Sequence, residues 1–165
     1  ITIAEAFGTQ EIFDYIEGNS QIQFRAASHT HDPTVIGAIP KFTSINSAIE
    51  IDLTGQVNAE AVGSAPVAGI GGSMDFVEGA ARSDGGQAIL ALASTAARGT
   101  RSRIVPVLAA GTPVTLPRYM VHSVVTEFGI AHLRGKSLRE RGVALAHVAH
   151  PNFRDELMAA AEKVR

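Results

Sequence analysis

The sequence predicts an α/β protein, and three features of its 165 residues lead to that class. Continuous apolar runs of strand length, at 88–93 and 104–108, are typical of strands that are buried on both faces of a sheet. Amphipathic segments with capping signals predict helices. Hydrophobic residues make up 45% of the chain and charged residues 18%, which allows a sizeable core and argues against disorder.

The predicted helices begin at residues that suit the first turn. We expect helices after Thr9, after Asp32-Pro33, over Met74–Ala81, after Ser137 with Glu140, and from Pro151. Ser137 and Glu140 have the spacing of a capping box, in which each side chain bonds the backbone amide of the other residue. Asp32 supplies an acceptor for a free amide, and a proline at the first turn loses no helical hydrogen bond.

Strand periodicity is clearest at residues 42–53, where polar and apolar residues alternate. Ile45 and Ile51 lie on one side together with the other odd-numbered residues of the segment. The segment is therefore predicted to be one long strand with an apolar face. A turn at 54–56 and a return strand at 57–62 are expected to follow. Further strands are expected at 22–26 and 121–126.

Charge and composition exclude several classes of function. The net charge of −2 and pI near 6.3 give no electropositive field for a phosphate backbone, so we expect no nucleic-acid partner. The apolar runs are too short to span a bilayer, so we expect no membrane partner. The absence of cysteine removes thiolate catalysis and agrees with a cytoplasmic location. Because the chain opens on Ile1 without an initiator methionine, we expect an excised fragment.

The segment Gly69-Ile70-Gly71-Gly72 is the most informative local motif. Glycines let backbone amides approach a ligand, and such amides can hold an anion or a developing oxyanion. The alternative is a tight turn between a strand and a helix. The motif matches neither the dinucleotide-binding pattern nor a P-loop.

A second candidate is the segment 94–103, in which Arg98, Arg101 and Arg103 stand among hydroxyl residues between two apolar runs. Guanidinium groups suit the recognition of phosphate or carboxylate, and loops at strand ends often bind ligands. The alternative is a solvated basic loop.

The other candidate side chains give weaker signals. Among the carboxylates, only Glu127 is predicted to be partly buried, whereas Glu50 and Asp52 are expected to be exposed or paired. The histidines at 29, 31, 122, 132, 147 and 150 offer at most two metal ligands together, so we expect no metal site and favour capping or core hydrogen bonds. Neither Ser73 nor Ser123 has an evident base, which argues against a serine hydrolase.

Four segments in order resemble the carboxy-terminal part of the acetyl-CoA hydrolase/transferase family, which includes 4-hydroxybutyrate and butyrate CoA-transferases. They are 42–58 (FTSINSAIEIDLTGQVN), 69–76 (GIGGSMDF), 124–135 (VVTEFGIAHLRG) and 149–154 (AHPNFR). The resemblance covers nearly the whole chain. It implies that residues 1–165 form the carboxy-terminal domain, with a CoA-transferase-type sandwich (NagB/RpiA/CoA-transferase-like) and a mixed sheet flanked by helices.

The resemblance also implies a chemistry and its residues. In this family, CoA moves between an acyl-CoA and a carboxylate through a glutamyl-CoA thioester, and the nucleophilic glutamate is expected upstream of Ile1. Gly72 is expected to donate an amide to the oxyanion hole. Ala68, Gly69, Gly71, Gly72 and Arg98 are expected to contact CoA, which enters as the acyl-CoA substrate. Ala68 stands where some relatives carry a polar residue, and an additional alanine precedes Arg98.

The implied partners are the acyl-CoA, a small carboxylate, the amino-terminal domain of the same enzyme and further copies in a homo-oligomer. The isolated chain is expected to be inactive. Two alternatives remain open: an acyl-CoA hydrolase, in which water replaces the acceptor carboxylate, and a non-catalytic CoA-binding module.

Overall fold

A computed structural model of the protein describes residues 1–164. The helices are α1 Gln10–Ile16, α2 Ala27–Thr30, α3 Pro33–Gly37, α4 Ser73–Arg82, α5 Leu138–His147 and α6 Pro151–Ala161. The strands are β1 Thr2–Ile3, β2 Gln23–Phe24, β3 Thr43–Asn46, β4 Glu50–Asp52, β5 Val57–Asn58, β6 Ala61–Val62, β7 Ala65–Pro66, β8 Gln87–Ala91, β9 Thr95–Ala96, β10 Arg101–Ser102, β11 Ile104–Val105, β12 Ser123–Thr126 and β13 Gly129–His132. The α/β prediction is confirmed.

The larger sheet has four strands in the order β13-β12-β8-β3. Strands β3 and β12 both run parallel to β8, and β13 returns antiparallel to β12. The sheet is therefore mixed, as predicted. Because β8 and β12 are parallel, the residues that follow them meet at one edge of the sheet, and the residues that begin them meet at the opposite edge.

A second, three-stranded sheet has the order β11-β4-β5. Strand β11 is parallel to β4, with Ile104 beside Ile51, and β5 is antiparallel to β4. Ile51, Ile104 and Val57 are fully buried and join these strands to one continuous apolar core with Leu90 and Val124 of the larger sheet.

Helices cover the sheets and complete this core. Helix α4 contacts β8, β3 and α3, whereas α5 contacts β13 and packs on α6. Leu145 of α5 and Leu157 of α6 are buried in the same core. Within residues 1–164, no helix has the length and hydrophobicity needed to cross a lipid bilayer.

Helices α5 and α6 approach closely at Gly142. A β-carbon at Gly142 would lie 3.0 Å from the β-carbon of Ala161 and 3.5 Å from the carbonyl oxygen of Leu53. A glycine at this position therefore allows a contact distance that a larger residue would prevent.

The capping predictions are confirmed at three helices. Ser137 and Glu140 form a reciprocal capping box at α5, and the Asp32 carboxylate accepts from the Thr34 amide at α3. At α6, the His150 ring accepts from the Asn152 amide, which is the capping role favoured for the histidines. Thr9 precedes α1 as expected, but its side chain makes no capping hydrogen bond.

The prediction of one long strand over 42–53 was wrong. The segment divides into β3 and β4, which belong to different sheets. Ile45 is 68% exposed on β3, whereas Ile51 and Leu53 are fully buried. The alternation of polar and apolar residues cannot show that the chain passes from one sheet to the other here, because both halves are strands with the same two-residue period.

The predicted return strand at 57–62 is also divided, at Asn58. This buried side chain donates to the Glu50 carboxylate and to the Ala61 carbonyl, and its oxygen accepts from the Glu60 and Ala61 amides. These bonds turn the chain, and β6 then pairs with β7 in a separate hairpin.

Candidate functional site

The glycine loop connects the β6-β7 hairpin to helix α4. The amides of Val67 and Ala68 donate to the Glu60 carbonyl at 2.8 and 3.1 Å and anchor the start of the loop. Ala68, Gly69 and Gly71 are exposed. The loop therefore presents its backbone to solvent at the amino end of a ten-residue helix, where the first-turn amides have no helical partner.

Gly72 occupies the N-cap of α4 with φ −90° and ψ 7°, and the positive φ of +60° belongs to Gly71 instead. The requirement for glycine at 72 comes from packing. A β-carbon at this position would lie 2.1 Å from Cδ2 and 2.4 Å from Nε2 of His31. An additional side chain here would displace the imidazole.

His31 is the residue that sequence reasoning missed at this site. Its ring contacts Phe76 edge-on at 4.9 Å between centroids, and its Nδ1 lies 2.9 Å from Thr30 Oγ1. The ring also lines a cavity of about 590 Å³ whose walls include the apolar Ile36, Ile39 and Phe42. The only available signal was its place just before the Asp32 cap, and that signal does not indicate contact with a segment forty residues later.

Arg98 lies at the tip of a hairpin formed by β9 and β10. Ala97, Arg98 and Gly99 have φ values of 50°, 57° and 86°, so three successive residues are left-handed. Such a conformation costs about 1–2 kcal/mol for each residue that carries a β-carbon. The hairpin holds the Arg98 guanidinium in an exposed position.

The structure brings part of the candidate set together. Val67 and Ala97 line one depression of about 370 Å³, together with Arg101 and Arg103, so their chain neighbours Ala68 and Arg98 flank it. Gly72 instead adjoins the larger cavity through His31. The Arg103 Nε atom is buried and has no hydrogen-bond partner among the described residues.

Glu127 and Ser94 follow β12 and β8 and meet at the same sheet edge. The Glu127 carboxylate accepts from the Ser94 hydroxyl at 2.6 Å and from the Ser94 amide at 2.9 Å. The hydroxyl bond and then the amide bond hold the pKa of Glu127 below its ordinary value. The prediction that Glu127 is partly buried was wrong, because the residue is exposed and only its partner Ser94 is buried. Such a carboxylate is ionised at neutral pH and serves as an acceptor.

The other polar candidates have structural partners. Asp52 is buried and accepts four hydrogen bonds from Thr54 and Gln56, which agrees with the expectation that it is paired. The buried His122 ring accepts from the Ala88 amide. Ser123, for which no base was evident, lies 3.1 Å from His132 Nδ1, because β13 places the two residues side by side.

Comparison with known proteins gives one consistent result. Residues 8–161 match the sequence model of the acetyl-CoA hydrolase/transferase C-terminal domain. The chain is 43% identical over 158 residues to a 4-hydroxybutyrate coenzyme A transferase of Clostridium kluyveri, covering 96% of this chain and 37% of that protein. It is 47% identical over 161 residues to a probable butyrate:acetyl-CoA coenzyme A-transferase of Syntrophomonas wolfei, covering 96% and 36%.

A solved structure agrees with these relatives. The crystal structure of a 4-hydroxybutyrate CoA-transferase from Porphyromonas gingivalis superposes with a TM-score of 0.84 at 39% identity, covering 99% of this chain and 37% of that one. The chain therefore spans little more than a third of the length of these relatives. The chain belongs to the acetyl-CoA hydrolase/transferase family, whose C-terminal domain it matches.

Proposed function

We propose that residues 1–165 are the carboxy-terminal domain of a CoA-transferase that moves CoA between an acyl-CoA and a small carboxylate. The observation that carries the proposal is the glycine loop at the amino end of α4, where Gly69 and Gly71 are exposed with open space beside them and Gly72 is half-buried against His31. The family of the chain supports the same reaction.

The proposed chemistry proceeds through a glutamate in the preceding part of the polypeptide. Its carboxylate attacks the thioester carbonyl and expels CoA thiolate, which leaves an acyl-glutamyl anhydride. The thiolate then attacks the glutamyl carbonyl and releases the acyl group as a carboxylate. The resulting glutamyl-CoA thioester reacts with the incoming carboxylate by the reverse steps.

Each step passes through a tetrahedral intermediate with a negatively charged oxygen. In this proposal the Gly72 amide is one donor to that oxygen, since preorganised amides stabilise charge that develops in the transition state. The Glu127 carboxylate is a poor candidate for the nucleophile, because Ser94 already occupies both of its oxygens.

The proposed contacts with CoA itself are electrostatic and through the backbone. The Arg98 guanidinium faces solvent at the hairpin tip, where it can pair with a phosphate of CoA. Ala68, Gly69 and Gly71 offer exposed backbone just after Val67, which lines the same depression as Ala97. No metal takes part in this proposal.

The proposed partners are an amino-terminal domain of the same polypeptide and further copies in a homo-oligomer, with the enzyme in the cytoplasm. Helix α1 supports a covering partner. It contains no buried residue, and its Ile12, Phe13 and Tyr15 are exposed together with Phe7 and Phe24. Apolar surface of this extent is typical of an interface.

The test compares the purified chain with the full-length polypeptide. CoA exchange from acetyl-CoA to several carboxylates is expected only with the full-length protein, because the nucleophile lies outside this chain. Turnover by the chain alone would contradict the proposal, and Glu127 would then be the first residue to replace.

The same assay separates the two alternatives. Release of CoA at the same rate without an acceptor carboxylate indicates an acyl-CoA hydrolase, since water then resolves the intermediate. Binding of CoA without formation of an enzyme–CoA thioester in the full-length protein indicates a non-catalytic binding module.

A further inference from the structure

A small polar pocket lies at the edge of the four-stranded sheet where β8 and β12 begin. It has a volume of about 250 Å³ and is lined by Gly86, Gln87, His122, Ser123, His132 and Arg134. Ser94 and Glu127 lie beyond the other end of the same two strands. None of the residues proposed to contact CoA lines this pocket.

Two of the lining side chains form a pair that always keeps one donor for a ligand. Ser123 Oγ and His132 Nδ1 are 3.1 Å apart. If the hydroxyl donates to the ring, the Nε2–H of the neutral ring remains, and if the ring donates to the hydroxyl, the O–H remains. In both arrangements the pair presents a hydrogen-bond donor.

His122 adds a second donor. Its side chain is buried, with 7% exposure, and its Nδ1 accepts from the Ala88 amide at 3.2 Å. The neutral ring must therefore carry its proton on Nε2. Burial first and then the positive charge of Arg134 lower the pKa of His122, so this ring stays neutral beside a cation.

The charge of the pocket is positive and uncompensated. Arg134 lines it, while the lining set contains neither aspartate nor glutamate. Among residues 1–164, no carboxylate lies within ion-pair distance of Arg134. Arg134 and Gln87 are exposed, whereas Ser123 and His122 are buried, so the pocket joins an accessible cation without an anion of its own to buried polar groups.

We propose that this pocket binds a small oxyanion, a carboxylate or a phosphate group, through Arg134, His122 and the Ser123–His132 pair. The volume suits a group of a few non-hydrogen atoms, and the donors lie at two neighbouring strand ends, the start of β12 and the end of β13, which the sheet holds side by side. The inference does not depend on the proposed transferase reaction.

The test is calorimetric titration of the full-length polypeptide at pH 7 and constant ionic strength, first with inorganic phosphate and then with acetate. At least one of the two is expected to bind with a Kd below about 10 mM, and the tighter one identifies the preferred oxyanion. If neither binds below that limit, the proposal is wrong.

Two variants show whether binding occurs in this pocket. Arg134→Gln is expected to weaken binding about tenfold or more, because a charge-assisted bond is lost. Arg139→Gln is the matched control, since it removes an exposed arginine five residues later that does not line the pocket. Equal weakening by both variants would mean general charge attraction and would overturn the proposal.

A spectroscopic readout locates the ligand without reliance on a variant. The ring signals of His122 and His132 are expected to shift on addition of the tighter-binding anion, while those of the α6 cap His150 stay in place. If His122 and His132 do not respond to an anion that binds, the ligand lies elsewhere and the proposal fails.

Discussion

The imidazole of His31 lies directly against Gly72, so that a β-carbon at Gly72 would stand 2.1 Å from His31 Cδ2. The two residues are forty-one positions apart in sequence and meet at the start of α4. Any substitution at Gly72 therefore tests two properties together, the packing of His31 and the access of a ligand to the loop amides.

Gly72→Val is expected to lower both the melting temperature and the turnover number of the full-length enzyme. The clash with His31 destabilises the fold, and the branched side chain blocks the amide from the thioester oxygen. Loss of an oxyanion donor reduces turnover about a hundredfold to a thousandfold. Thermal unfolding and CoA exchange are measured on one preparation.

The double variant with His31→Ala separates these two effects. Removal of the ring is expected to restore much of the melting temperature while turnover stays low. A double variant that recovers full activity would show that Gly72 serves only to admit His31, and the oxyanion role would be refuted.

Arg98→Ala in the full-length enzyme is expected to raise the KM for acyl-CoA more than it lowers kcat. The lost contact is to a part of CoA that does not react, so ground state and transition state are weakened alike. The increase is about tenfold or more for a charge-assisted bond. Arg98→Lys, which keeps the charge, is the control and should retain most of the affinity. An unchanged KM in the alanine variant would mean that Arg98 only faces solvent.

Ala97→Gly is expected to increase the free energy of unfolding by about 0.5–1 kcal/mol. Glycine removes the strain of a β-carbon at φ 50°, and this gain exceeds the added freedom of the unfolded chain. Urea denaturation measures the difference. Ala159→Gly, on the exposed side of α6, is the matched control and should lose about 1 kcal/mol. Destabilisation at both positions would contradict the left-handed assignment.

Ser94→Ala is expected to raise the pKa of Glu127 toward its ordinary value. In the native protein the pKa of Glu127 is lowered from the ordinary value of 4.5. The bond to Ser94 therefore contributes its full stability at pH values above 4.5, and this stability is lost as the pH falls through the lower pKa of the folded state. The difference in unfolding free energy between the native protein and Ser94→Ala should thus be larger at pH 7 than in strong acid. Unfolding free energies at a series of pH values give the comparison, and a pH-independent difference would exclude the carboxylate as the cause.

The sequence indicated local features better than it indicated which segments meet. The Ser137–Glu140 box and the Asp32 cap depend on residues three or fewer positions apart, and both formed as predicted. Strand β13 was not anticipated, because its turn at 127–128 contains no glycine or asparagine to signal a hairpin. Its absence from the prediction also hid the pairing of Ser123 with His132.

The candidate site shows the same limit. The glycine motif indicated a loop before a helix, but it did not indicate which of its glycines has the positive φ, and that residue is Gly71. The sequence also does not show that glycine is needed at position 72 for packing, because it does not reveal which side chain will lie against which α-carbon. Only the fold brings His31 to this position.

The close contact of α5 with α6 constrains the order in which substitutions at Gly142 and Ala161 can be accepted during evolution. Gly142 can gain a β-carbon while Ala161 keeps its own only if the two helices move apart by a few tenths of an ångström, because the two β-carbons would stand 3.0 Å apart. Ala161→Gly opens the space first, at the cost of a helix-disfavouring residue, and Gly142→Ala can then follow. In the reverse order the intermediate carries the clash. The two positions should therefore drift as a pair, with the exchange starting from α6.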